Sequence, residues 1–165
     1  MRLRKTDLKN YRTRVLAALA CALMTPSVSW AMTETMTITN TRGLAFGSFA
    51  AVTGGTVVIA PNGVRSKTGA VYLVASGTGA SAQFSVSSTR NNEVYIITLP
   101  GTVTLTRTGG GTMAVSTFTS TPSGTGTLGP KGVAQTLNVG ATLTVGSGQA
   151  AGSYTGTFNV TVVHQ

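Results

Sequence analysis

Ser153-Tyr154-Thr155-Gly156-Thr157-Phe158-Asn159-Val160-Thr161-Val162-Val163 is the stretch whose reading settles the fold class. Tyr154, Gly156, Phe158, Val160 and Val162 recur at every second position, with Thr155, Thr157, Asn159, Thr161 and Val163 between them. In an extended chain successive side chains point to opposite faces, so this spacing makes one apolar face and one threonine-rich face. A 3.6-residue period would scatter the same residues around a helix. The spacing predicts a single long strand over residues 153–163. Placed at the end of the chain, such a strand is suited to a sheet edge, where unpaired N–H and C=O groups invite another strand to add.

Upstream, strand-like windows alternate with turn signals. Residues 33–39 (TETMTIT) and 44–49 come first, then a Thr53-Gly54-Gly55 turn. Residues 56–60 (TVVIA) end at Pro61-Asn62-Gly63, and 70–75 (AVYLVA) end at Ser76-Gly77. Residues 81–87 put Ala82, Phe84 and Val86 on one face, and Arg90-Asn91-Asn92 turns the chain into 93–99 (EVYIITL). Strands follow at 102–107, 112–117, 134–139 and 141–145, and 120–131 is the most loop-like segment. With 21 glycines, abundant threonine and only 9% charged residues, the composition suits short strands and tight turns. About ten strands at this spacing predict one all-β domain, a single antiparallel β-sandwich of immunoglobulin-like or pilin-like type, over residues 32–165.

The net charge of +9 divides unevenly. Arg2, Arg4, Lys5, Lys9, Arg12 and Arg14 stand against Asp7 alone, which places +5 within the first fourteen residues. A short apolar run, 15–24 (VLAALACALM), follows, then a Thr25-Pro26 break and the small residues Ser29 and Ala31. That order is the signature of an export signal, read as residues 1–31 with cleavage between Ala31 and Met32. A run of about ten residues is too short to cross a bilayer, so no transmembrane helix is expected after processing. Cys21, the only cysteine, lies in this run, where lipid attachment competes with a plain apolar role. The remaining cations, Arg42, Arg65, Lys67, Arg90, Arg107 and Lys131, are scattered, and nucleic acid is not an expected partner.

Few groups are available for chemistry. Residues 32–165 contain Glu34, Glu93 and one histidine, His164, next to the end. General acid–base catalysis needs convergent ionisable groups, and a metal site needs several ligands close together. The expectation is no catalytic residue, no metal and no cofactor. Gly54-Gly55 and Gly109-Gly110-Gly111 are read as turns, since neither opens a helix or carries a lysine at phosphate-loop spacing.

The final segment resembles the last strand of chaperone–usher pilus subunits. Gly152 stands fourteenth from the end, Phe158, Val160 and Val162 form the alternating face, and His164 replaces the usual tyrosine. A wider resemblance covers nearly all of residues 32–165. Leu44-x-Phe46-Gly47, Gly54-Gly55-Thr56-Val57, Ala82-x-Phe84-x-Val86, Tyr95-Ile96-Ile97-x-Leu99-Pro100, Val139-Gly140-Ala141-x-Leu143-x-Val145 and Gly152-x-Tyr154-x-Gly156-x-Phe158-x-Val160 are similar to the domain of unknown function 4402 family of bacterial exported proteins.

The pilus resemblance implies an incomplete sandwich whose groove, beside Tyr154, Phe158, Val160 and Val162, is filled by an added strand. The partners it implies are a periplasmic chaperone and copies of the chain or related subunits. Met36 and Ile38 would be the groove-filling side chains of the donated segment; alternatively residues 32–39 pair within their own chain. The expected function is an exported, non-enzymatic surface or structural protein of fimbrial type, located in the periplasm, cell surface or fimbrium. The alternative is a self-contained monomeric binding module for a ligand or carbohydrate.

Overall fold

A computed structural model describes residues 35–165. The signal-peptide reading, its cut between Ala31 and Met32, and Cys21 lie outside the described residues. The strands are β1 (Met36–Arg42), β2 (Phe49–Ile59), β3 (Arg65–Leu73), β4 (Ala82–Ser88), β5 (Val94–Thr98), β6 (Thr102–Arg107), β7 (Thr112–Thr121), β8 (Thr125–Thr127), β9 (Gln135–Val145), β10 (Tyr154–Thr155) and β11 (Thr161–His164). All pairings are antiparallel. No helix among the described residues is long and apolar enough to cross a membrane.

The architecture is an antiparallel β-sandwich organised around β9. Along one edge β9 carries two strands end to end: β4 pairs with its first half and β2 with its second. Along its other edge it pairs with β7, which continues to β6 and β10. Gly140 stands where β4 gives way to β2. A Cβ there would run into the carbonyl oxygen of Ile59, so only glycine allows the strands to meet that closely. β1 extends the sheet beyond β4, and β3 extends it beyond β2, giving eight strands in all. A second sheet has three, in the order β11-β5-β8.

Strand alternation locates the core. Ala82, Phe84 and Val86 of β4 are buried, as the pattern predicts, and so are Leu137, Val139, Ala141, Leu143 and Val145 of β9. They divide between two apolar clusters. One lies between the sheets and contains Phe84, Val86, Tyr95, Ile97, Leu128 and Leu137. The other lies under the far half of the large sheet and contains Phe46, Val57, Ile59, Val71, Met113, Val115, Leu143 and Val145. Leu44 and Phe118 pack against both.

Several strand boundaries differ from expectation. The 44–49 window is a strand only at Phe49, with a single bridge at Ala45; the 70–75 window is the end of a strand that begins at Arg65; β7 runs on to Thr121; and the loop-like 120–131 contains β8. Three further differences have a local reason. Thr53-Gly54-Gly55 is no turn: β2 runs through it, with a register shift against β3 between Ala51 and Gly55. Gly54 has a φ of 97° there, which a bulge accommodates in glycine. The windows 134–139 and 141–145 are one strand, because Gly140 is extended rather than turned. The final window is two strands rather than one. Tyr154 and Thr155 pair with β6 in the large sheet, whereas Thr161–His164 pairs with β5 in the small one. Residues 156–160 belong to no strand and carry the chain between the layers.

Tyr95 centres the inter-sheet cluster. It is wholly buried, and its hydroxyl donates to Gln135 Oε1 at 2.6 Å. A Cβ on Gly126 would strike the Tyr95 ring. Gly126→Ala is therefore expected to cost about 2 kcal/mol or more, as an overpacked core site does, seen as a lowered urea midpoint. Burial raises the Tyr95 pKa above its ordinary 10.0. The folded state thus holds the phenolic proton more tightly than the unfolded state. The associated stability is full below pH 10 and falls as pH rises beyond it. Tyr95→Phe should lose about 1 kcal/mol at neutral pH and flatten the decline above pH 10 in denaturation curves.

Candidate functional site: an open apolar groove

The small sheet has three strands to the large sheet's eight, so it covers only part of the apolar face. Over the remaining part lies a groove of about 1080 Å³, slightly larger than the usual range for ligand pockets. Its floor is made by Val103 and Leu105 of β6, Met113, Val115 and Phe118 of β7, and Leu143 and Val145 of β9. These inward positions belong to the second core cluster or pack on it, so the floor is hydrophobic core that no described strand covers. Among the described residues, no charged side chain lines the groove. Its chemistry is burial of apolar surface, worth roughly 25 cal/mol per Å².

Two chain segments form the walls, and polar contacts hold each. The first wall is residues 43–51. Ala45 exchanges two backbone hydrogen bonds with Ala80, at 2.9 and 2.8 Å. The Ser48 carbonyl accepts from the Val74 amide at 3.1 Å and from the Arg65 guanidinium. Arg65 also donates to the carbonyls of Gly77 and Val74.

The second wall is residues 149–158. Tyr154 fastens it: its hydroxyl donates to the Ala150 carbonyl at 2.7 Å and accepts from Gln149 Nε2 at 2.7 Å. Gln149 also donates to the Thr112 carbonyl at 3.2 Å, and Arg107 Nη1 to the Ala151 carbonyl at 3.3 Å. At the end of this wall Phe158 stacks against Phe118 (5.2 Å between centroids) and edge-on to Phe84 (6.3 Å). The strand pairing of this wall stops at Thr155 and resumes at Thr161.

The residues singled out in the sequence divide. Tyr154 and Phe158 line the groove. Val160 and Val162 instead pack on the inter-sheet cluster, as do Met36 and Ile38. Expected donor and acceptor side chains are thus brought to one cluster of a single chain. Met36 and Ile38 are not left free, because β1 pairs with β4 of its own chain from Met36↔Ser88 to Arg42↔Gln83. Sequence patterning does not single out Arg65, Gln149 or the floor residues as a site. The Gly47, Gly152 and Gly156 motif positions lie on the walls, and only the pairing register shows what those glycines adjoin. A Cβ on Gly156 would lie 2.8 Å from Leu105 Cδ2, so this wall hugs β6.

Tyr154→Phe removes one donor and one acceptor from the second wall. We expect a loss of about 1 kcal/mol, with faster hydrogen exchange confined to residues 149–155 and the amides of β4 unaffected. Equal slowing or quickening across the whole domain would contradict a local fastening.

Comparison with curated proteins and with solved structures finds no match. The model of one protein family, described as Domain of unknown function (DUF4402), matches residues 36–164, which spans every strand of both sheets. With a match across most of its length, the chain belongs to the DUF4402 family.

Proposed function

We propose that this chain is an exported, non-enzymatic surface or structural subunit of fimbrial type, and that its groove takes an added β-strand. One observation carries the reading: among the described residues, a groove floored by core side chains, with Val103 and Leu105 only half-buried, beside a wall that leaves residues 156–160 without strand pairing. An extended peptide laid there would bury alternate apolar side chains against half-buried Val103 and Leu105 and offer its backbone to the wall. A periplasmic chaperone or a related subunit would supply such a strand. The export reading supports a periplasmic or surface location.

The pairing of β1 with β4 favours a second reading, a self-contained binding module whose groove holds an apolar ligand. For a second copy to donate Met36 and Ile38, β1 would have to leave its own sheet.

The test uses the full chain extended by a flexible Gly/Ser linker and a second copy of residues 32–42. The control carries aspartate in place of the copied Met36 and Ile38. Strand addition predicts a Tm for the extended chain at least about 4 °C above the control, equivalent to about 1 kcal/mol in a chain of this size. Identical melting of the two proteins would discard strand addition and leave the binding module.

A further inference from the structure

Arg65 has surroundings that a surface arginine does not need. It opens β3, yet its guanidinium turns to the loop side and donates to three main-chain carbonyls, those of Ser48, Val74 and Gly77. Among its described contacts there is no carboxylate. Its Nε is buried without a partner, and burial lowers its pKa. Its stem lies against Gly79, where a Cβ would come within 3.0 Å of Arg65 Cδ. A cation held by carbonyls alone, with one donor left unmet, is costly to place there. Such a cost points to a role for the position itself.

The three carbonyls come from two segments. Ser48 is in the first wall of the groove, while Val74 and Gly77 lie in the connection between β3 and β4. The wall and this connection are in close contact, since a Cβ on Gly47 would lie 2.6 Å from the Gly77 carbonyl oxygen. Arg65 bridges the two segments with its guanidinium. It belongs to neither apolar cluster.

We infer that Arg65 is a positioning residue for the groove: by tying Ser48 to the Val74 and Gly77 carbonyls it fixes the first wall to the connection between β3 and β4 and so sets the width available to an incoming strand. The inference rests on the strand-addition reading. The planar guanidinium fork is what makes this possible, because its donors reach carbonyls on separate segments at once. A lysine ammonium on the same stem is a single point of attachment.

The experiment compares Arg65→Lys and Arg65→Gln with the unaltered full chain, each with and without the linked copy of residues 32–42. Arg65→Gln is expected to lose more than half of the Tm rise that the linked strand confers, and Arg65→Lys to keep an intermediate share. In both, the Val74 and Gly77 amides, bonded to the carbonyls of Ser48 and Val74, should exchange about tenfold faster, while β4 and β9 amides keep their protection. Should Arg65→Gln not fold, Arg65→Lys decides by the same two readouts. Full retention of the Tm rise with unchanged exchange would overturn the role. If the unaltered chain gains nothing from the linked strand, strand addition itself falls. The exchange data then still report whether Arg65 holds the wall.

Discussion

The fold is governed by an imbalance between its layers. An antiparallel sheet that is apolar on one face must bury that face against something. Here eight strands present the face and three strands answer it. The covered half becomes an ordinary inter-sheet core around Tyr95, Phe84 and Leu137. Over the other half, the described residues place two wall segments, with Met113, Val115, Leu143 and Val145 between them. The groove is thus the unfilled remainder of the same hydrophobic core, and its lack of charge follows from that origin.

Polar groups keep this remainder from collapsing. Dispersion and the hydrophobic effect would draw the walls together over the floor. Each wall is instead tied to neighbouring segments: the first through Arg65 and the Ala45–Ala80 bridge, the second through Tyr154, Gln149 and Arg107. These contacts are directional, so they fix distance where apolar packing would fix only proximity. The rings of Phe118 and Phe158 close one end and join it to the inter-sheet core.

Much of this is legible in the sequence, and the part that is not has a physical cause. Period-2 patterning locates β4, β5, β6 and β9 closely, because those strands bury one face against a core. It fails at 153–163. There Tyr154, Phe158, Val160 and Val162 all face inward, but toward two different clusters in two layers. Alternation reports that a side chain is inward, not which sheet its backbone joins. Nor can it show that β1 pairs with β4, since a half-apolar segment such as Met36-Thr37-Ile38 is compatible with either its own edge or a neighbour's. Arg65 is illegible for a different reason. Its partners are backbone carbonyls, which leave no mark in side-chain identity.

Gly140 sits midway along β9 without changing its phase: Leu137, Val139, Ala141, Leu143 and Val145 are all buried. One residue inserted or deleted near it would turn half of the strand inside out. The covered core and the groove floor would then no longer share a frame. A change of length is therefore costly anywhere within β9.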